Sequence, residues 1–324
     1  METGRDPRAW GGPDLDEGWG QVVTRVVPGA ARLLDLVLGP HQRGPGDPCL
    51  RRVGGVWWRA TRSPYGPGLQ RCAVDGDGVR VDCWGPGRQW LAEQAPRLLG
   101  EDDRLDGFDP ARHPVVARAH RRFPWLRLGR TSQVLEALAP AALEQVVTGK
   151  EAFRAHRLLG LRFAEPVPLP ADHPAAGIRL PLSAAQWRTV PSWELLRAGV
   201  EQRRSQVIMA AARAGTSLER LAVPGAAGDP DQALRSLPGV GPWTSAQVRQ
   251  RALGDADAWS VGDYGVGGQI TYALTGEVLD DDAAEELLEP FAGHRYRVER
   301  LLGLAAGKPP RHGPRRSPPT HLPR

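Results

Sequence analysis

The residues that could do chemistry lie between positions 237 and 265. The run Leu-Pro-Gly-Val-Gly-Pro-Trp-Thr occupies residues 237–244, and Asp263 follows about twenty residues later. Two glycines one position apart, followed by Pro242, predict a tight turn that opens a helix, because proline fits the first helical position. The unpaired N–H groups at such a helix start bind anions, and glycines let a phosphate approach the backbone closely. A phosphate-binding turn with a carboxylate nearby indicates chemistry on a nucleic acid.

This motif resembles that of the helix-hairpin-helix DNA glycosylases with a Gly/Pro-rich loop and a catalytic aspartate (HhH-GPD). It is most similar to their alkylated-base branch, the 3-methyladenine DNA glycosylase II type. Residues 140–149 resemble the segment after the first helix of that branch, and residues 191–194 and 197–200 resemble bacterial members. The resemblance covers residues 127–304 well and the N-terminal third more loosely.

The resemblance implies a role for each part of the motif. Asp263 would be the catalytic carboxylate, which stabilises an oxocarbenium-like sugar and orients or deprotonates the attacking water. From spacing alone, an ordinary helix N-cap is an equally simple role for this aspartate. The residues assigned to binding of the DNA backbone are Leu237, Pro238, Gly239, Val240, Gly241 and Thr244. Without catalysis, the same hairpin would be a binding module or a tight connection between helices.

Trp243 separates two reaction types. Bifunctional relatives carry a lysine at this position, which forms a Schiff base with the sugar and cuts the strand. We therefore expect base removal without a lyase step. An electron-rich ring here also favours a cationic alkylated base. The residues assigned to the base pocket, or to the wedge that fills the space left by the flipped nucleotide, are Trp243, Gln145, Val146 and Tyr264. Core packing is the alternative role for each apolar side chain, and for the further stacking candidates Trp125, Trp187 and Trp193.

Composition limits the remaining possibilities. The chain has 324 residues, enough for two domains, and its net charge of +5 suits a polyanionic partner, although a solvated basic surface explains the charge equally well. No stretch approaches 18 apolar residues, so we expect no membrane span and a cytoplasmic, nucleoid-associated monomer that binds damaged double-stranded DNA. Cys49, Cys72 and Cys83 lie outside any C-x-x-C spacing, so we expect reduced thiols, no metal site and no required cofactor. Some relatives carry a four-cysteine iron–sulfur cluster after the catalytic domain, and this chain has no cysteine there, so the resemblance implies no such cluster. By resemblance, a monovalent cation can bridge the hairpin carbonyls and a phosphate.

The fold class that we expect is α+β, with a small N-terminal antiparallel-sheet domain followed by an all-α helix-hairpin-helix glycosylase domain. The domain boundaries that we expect are a disordered segment 1–21, an α+β domain 22–125, a helical domain 126–304 and a basic disordered tail 305–324. Alternation at residues 79–83 predicts a sheet with one wet face, and the stretch 75–78 predicts a hairpin loop.

Several local expectations accompany this architecture. Residues 33–38 fit a strand or a helix by pattern, and the resemblance favours a strand. Residues 102–128 are assigned to irregular structure. A helix capped by Thr131 is expected to end before Pro140, and residues 285–304 are expected to complete the helical bundle. Asp255 and Asp257 are expected to be solvated loop acids.

The function that follows is a monofunctional DNA glycosylase of base excision repair. It would hydrolyse the N-glycosidic bond of bases of the 3-methyladenine or 7-methylguanine type after base flipping, and leave an abasic site. Two alternatives remain open. One is a non-catalytic protein that binds damaged DNA, and the other is a glycosylase for oxidised or mismatched bases.

Overall fold

The computed structural model describes residues 19–223, 225–306 and 309. Most of the segments 1–21 and 305–324, which were expected to be disordered, lie outside the described residues. Within the described part, one five-stranded antiparallel sheet lies near the N-terminus and the other regular elements are helices. The α+β class expected from the sequence is confirmed.

The sheet has the strand order β1-β5-β4-β3-β2. Its strands are β1 (Val23–Val27), β2 (Leu50–Val53), β3 (Val56–Ser63), β4 (Gly66–Asp75) and β5 (Gly78–Trp84). Asp75 pairs with Gly78 to close the β4–β5 hairpin, as the sequence predicted, and Gly76 has the positive φ that this tight turn requires.

Both faces of the central strands are covered, so the expectation of one wet face is wrong. Val79, Val81 and Cys83 pack under the helices on one face. On the other face, Trp58 and Trp84 pack against Val167, Ile178 and other residues of the irregular segment 164–182. Periodicity in the strand could not reveal this cover, because the covering segment lies about 80 residues further along the chain.

The helices account for most of the remaining chain. They are α1 (Leu34–Leu38), α2 (Arg88–Leu98), α3 (Pro114–Arg122), α4 (Val134–Glu144), α5 (Gly149–Phe163), α6 (Ala184–Thr189), α7 (Ser192–Arg197), α8 (Gln202–Ala214), α9 (Thr216–Glu219), α10 (Pro230–Arg235), α11 (Pro242–Val248), α12 (Val266–Thr275), α13 (Asp281–Leu288) and α14 (Arg295–Ala305). A π-helical turn, Arg249–Leu253, extends α11. No helix of the described residues is long and apolar enough to cross a bilayer.

Two local expectations near the N-terminus are wrong. The stretch assigned to a strand is the helix α1, because Leu34, Val37 and Leu38 recur at helical spacing and are buried together. The stretch assigned to irregular structure contains α3, which begins at Pro114. The side chain of His113 caps this helix by accepting from the Val115 amide.

Helix α4 runs through Pro140 instead of ending before it. Its first residue is preceded by Gln133, so Thr131 is not the N-cap. The free amides of Val134 and Leu135 each donate to the Glu219 carboxylate at 2.8 Å, a cap supplied from α9. Burial of the helix in the core outweighs the one backbone hydrogen bond that proline removes.

The stretch expected to complete the helical bundle contains two helices, α13 and α14. Helix α13 ends at Leu288, and a short 3₁₀ turn with Pro290 precedes Gly293, which has φ +88°. Proline and a positive-φ glycine end the first helix and redirect the chain. Helix α14 then packs against α3 and α12 around Val298 and Leu302.

A buried ion pair joins the sheet to the helices. Arg59 of β3 lies 2.9 Å from the Glu136 carboxylate of α4, and the Thr61 hydroxyl donates to the same carboxylate at 2.6 Å. Arg59 is 3% exposed, so the pair sits in a medium where an unpaired charge would be unfavourable. The position of α4 is therefore fixed relative to the sheet.

Candidate active site

The hairpin connects α10 to α11. Gly239 has φ +82°, and Pro242 occupies the first turn of α11 after Gly241. A Cβ added to Gly239 would lie 2.6 Å from the Val207 side chain, so the turn also packs closely on α8. In the first turn of a helix, the backbone N–H groups have no acceptor within the helix. Those of α11 can therefore bind an anion.

The two hydroxyls that follow Trp243 in α11 point inward. Ser245 is fully buried and donates to Asp231 at 2.7 Å, which ties α11 to α10. Thr244 is 2% exposed and accepts from Gln145 at 2.8 Å. The assignment of Thr244 to DNA-backbone binding stays a prediction, and in this conformation its hydroxyl serves the contact with Gln145.

Asp263 is held by Trp243. The indole Nε1–H donates to Asp263 Oδ2 at 2.8 Å, across the twenty residues that separate them. Helix α12 begins only at Val266, its N-cap is Gly265, and no side chain caps it. The Asp263 carboxylate is therefore not a helix cap in this structure. It is a partly exposed group with one fixed oxygen and a second oxygen for other partners.

Tyr264 lies directly beside Asp263, with its side chain fully exposed. An aromatic side chain with no cover on the protein is unusual when it stands next to a carboxylate held in place. Its assignment to the base pocket or wedge stays a prediction.

A buried network supports the Asp263 loop. The Asp263 amide donates to the Ser260 carbonyl at 3.1 Å. The Ser260 amide and hydroxyl donate to the Glu299 carboxylate at 2.7 and 2.9 Å. Burial raises the pKa of Glu299 to about 7. The Ser260 hydrogen bonds oppose this shift, and the nearby Asp263 charge adds to it. Gln247 and Gln250 also donate to the Ser260 hydroxyl.

Sequence analysis missed this network. Gln247 lies one helical turn after Trp243, so its position on the same face of α11 could have been inferred. Glu299 lies on α14, 39 residues from Ser260, and no local pattern connects the two.

The turn after α4 carries Gln145 and Val146. Val146 has φ +55°, a left-handed conformation that is strained for a β-branched residue, and it is 96% exposed. Gln145 Nε2 donates to the Gly239 carbonyl at 3.0 Å as well as to Thr244. An apolar tip in a strained conformation is thus attached to the hairpin, and strain of this kind is concentrated at functional sites.

The remaining candidates are divided between core and surface. Trp187 is 5% exposed within the helical core, whereas Trp193 is 58% exposed and lies under the guanidinium of Arg162. Trp125 packs at the edge of the core beneath the sheet.

Two acids that were expected to be solvated form ion pairs. Asp257 accepts from Arg295 Nε at 2.8 Å, and Asp255 accepts from Arg249 Nε at 2.8 Å. Burial opposes ionisation of Asp257, but the bonds from Arg295 and from backbone amides hold its pKa below the ordinary value. Both acids anchor the loop between α11 and α12, so that expectation is wrong.

No protein-family model and no curated protein matches this sequence. The fold is shared with solved DNA glycosylases. A 3-methyladenine DNA-glycosylase from Archaeoglobus fulgidus matches with a TM-score of 0.67 and 20% identity, over 88% of this chain and 97% of that one. The Clostridium acetobutylicum 8-oxoguanine glycosylase/lyase, solved with double-stranded DNA, matches with a TM-score of 0.64 and 9% identity over the same shares. The expected glycosylase fold is confirmed.

Proposed function

We propose that this protein is a monofunctional DNA glycosylase that removes alkylated bases from duplex DNA. The observation that carries the proposal is the hydrogen bond from Trp243 to Asp263. It holds one oxygen of a carboxylate in place, beside the hairpin, while the side chain remains partly exposed. A carboxylate in such a position can face the sugar of a flipped nucleotide.

The proposed reaction breaks the bond between C1′ and the base nitrogen. Positive charge develops on the sugar as the base leaves, and the Asp263 carboxylate stabilises it. A water oxygen then adds to C1′ and loses its proton, so that the products are the free base and an abasic site. Asp263 orients this water and can accept its proton.

Trp243 supports hydrolysis without strand cleavage. A lyase step requires an amine that forms a Schiff base with C1′. In the position where bifunctional members of this fold carry that lysine, this chain has an indole whose N–H is already donated to Asp263.

Base chemistry supports an alkylated substrate. A purine alkylated at N3 or N7 carries positive charge and can leave without a general acid. The indole of Trp243 can stabilise such a cation through its π face. We include 3-methyladenine and 7-methylguanine in the proposed range.

The hairpin and the Val146 turn support action on duplex DNA. Backbone amides at the start of α11 suit a phosphate and contribute no sequence preference. In this proposal, the exposed side chain of Val146 is the apolar tip that fills the gap left by the flipped nucleotide. A monovalent cation at the hairpin carbonyls belongs to the proposal by analogy alone.

The test is release of free base from methylated duplex DNA by purified protein, with the strands examined for nicks. Asp263→Asn should abolish release while DNA binding is kept, and Trp243→Phe should lower the rate about tenfold through loss of one charge-assisted hydrogen bond. The control is Asp282→Asn, an exposed acid at the start of α13, which should behave as the wild type. Duplexes with 8-oxoguanine are assayed in parallel.

Each contrary result favours a specific alternative. If the protein binds damaged duplex but releases no base, it is a lesion-binding protein and Asp263 has no catalytic role. If it releases 8-oxoguanine and leaves methylated purines in place, it is a glycosylase for oxidised bases.

A further inference from the structure

We propose that Asp47, Cys49 and His156 form a zinc site that joins the N-terminal part of the chain to helix α5. One donor atom from each side chain lies within 4.8 Å of the other two. Asp47 Oδ1 lies 3.5 Å from His156 Nε2. Donor atoms on one tetrahedral zinc ion lie roughly 3.3 to 3.7 Å apart, so small side-chain rotations complete the site. This proposal departs from the sequence-based expectation of no metal site.

The backbone around the site is held by close packing. The segment 44–48 lies along one face of α5, where a Cβ added to Gly160 would meet Pro48 at 2.6 Å, and one added to Gly44 would meet Phe153 at 3.1 Å. These contacts leave little freedom for the segment to shift along the helix. The packing of the segment 44–48 against α5 therefore brings the three donor atoms close together.

The donor set selects the metal. A thiolate and an imidazole favour zinc over magnesium or calcium, which prefer oxygen ligands. One carboxylate oxygen completes a set of three, and the three ligand residues line a cavity of about 70 Å³ that His41 also lines. This cavity has room for a metal-bound water.

The charges around the site suit zinc bound by two anions. Three arginines also line the cavity: Arg43 and Arg59 are paired with Glu144 and Glu136 respectively, and Arg251 donates to the Gln247 side chain. A zinc ion bound to the Asp47 carboxylate and the Cys49 thiolate has no net charge. The empty site holds the Asp47 carboxylate and a neutral Cys49 thiol, so zinc binding with release of the thiol proton changes the charge of the site from one negative unit to none.

Proton balance follows from the groups involved. Burial and the nearby Asp47 charge raise the pKa of the Cys49 thiol well above its ordinary value, so the empty site holds a thiol. Burial opposes ionisation of Asp47, but bonds from His156 and from backbone amides lower its pKa, so this ligand is already a carboxylate. Zinc binding would form a Zn–S bond and release the thiol proton, together with any proton on His156 Nε2.

The test uses the untagged full chain, freed of metal by dialysis against chelator and titrated with Zn²⁺ in a calorimeter. We expect one ion per chain. Cys49→Ala and His156→Gln should each weaken zinc binding at least tenfold, because removal of a ligand lowers metal affinity more than loss of a hydrogen bond to a ligand does. Matched controls are Cys72→Ala, a buried sheet cysteine, and His120→Gln on α3, both outside the cavity, which should bind as the wild type.

A second readout separates loss of the site from loss of the fold. Co²⁺ bound in place of zinc gives a thiolate charge-transfer band, which should be present in the wild type and Cys72→Ala and absent in Cys49→Ala. Circular dichroism establishes that each variant is folded. The proposal is overturned if folded wild-type protein takes up no stoichiometric ion, or if uptake and the band persist in Cys49→Ala.

Discussion

Gln145 connects the turn that carries Val146 to the hairpin. Its amide nitrogen donates to the Gly239 carbonyl at 3.0 Å and to the Thr244 hydroxyl at 2.8 Å. The proposed wedge and the proposed phosphate-binding turn come from segments about 95 residues apart, yet this one side chain sets the distance between them. Phosphate binding and wedge insertion should therefore be coupled.

Replacing Gln145 with alanine should uncouple the two. Each lost hydrogen bond contributes about 1 kcal/mol, so we expect kcat/KM on methylated duplex to fall roughly tenfold to thirtyfold. Single-turnover base release measures the effect. Single-stranded substrate is the control, because it has no vacated stack to fill, and there the loss should be much smaller. Equal losses on both substrates would contradict the coupling.

Val146→Gly should separate stability from activity. Valine at φ +55° is strained by about 1 kcal/mol, and glycine relieves this strain. Glycine also loses more conformational freedom on folding, which lowers the free energy of unfolding by about 0.5–1 kcal/mol. The free energy of unfolding should thus stay within about 1 kcal/mol of the wild type, whereas base release from paired duplex should fall about tenfold.

The matched control is Val278→Gly, an exposed valine without positive φ. It should lose stability and keep its activity. A Val146→Gly variant with full activity on paired duplex would remove the wedge assignment.

Gly239→Ala should destabilise the hairpin more than an ordinary positive-φ substitution does. Alanine is strained at φ +82°, and its Cβ would lie 2.6 Å from the buried Val207 side chain. We expect a loss of at least about 2 kcal/mol in urea unfolding and weaker binding to DNA of any sequence.

Gly276→Ala is the comparison for this hairpin variant, because Gly276 has φ +87° but open space around its Cα. It should lose about 1 kcal/mol and bind DNA normally. Equal destabilisation of the two variants would show that the contact with Val207 is unimportant.

Glu299→Gln should change how stability depends on pH. The Glu299 pKa is raised from 4.5 to about 7 in the fold, so the folded protein holds this proton more tightly than the unfolded chain. The resulting stabilisation is fully present below about pH 4.5 and is lost as the pH rises through about 7. It is on the order of 3 kcal/mol.

Urea midpoints at pH 5 and pH 8 measure this effect. The decrease between the two pH values should be smaller in Glu299→Gln than in the wild type, and it should be unchanged in the control Glu286→Gln, an exposed acid on α13. If stability decreased equally between pH 5 and pH 8 in all three proteins, the Glu299 pKa would lie near its ordinary value.

Local sequence was enough for the parts of the site that depend on a few neighbouring residues. The glycines and Pro242 predict the hairpin because their φ preferences act within one turn. Other features depend on distant partners. Glu299 supports Ser260 from another helix, Glu219 caps α4 from α9, and the cover over the sheet comes from the segment 164–182. No pattern within a single element reveals these distant partners. Pro140 was interpreted as a helix end for the same reason, because the burial that keeps α4 helical depends on distant residues.

The two ends of α4 have a mechanical consequence for repair. Glu219 fixes the first turn of the helix, and Gln145 fixes the last turn to the hairpin. Arg59 also holds the first turn against the sheet through Glu136. In the proposed reaction, Val146 presses on a base pair while the helix behind it is fixed at both ends, so the displacement is expected in the DNA. Helix α4 would thereby transmit load from the double helix to the body of the protein.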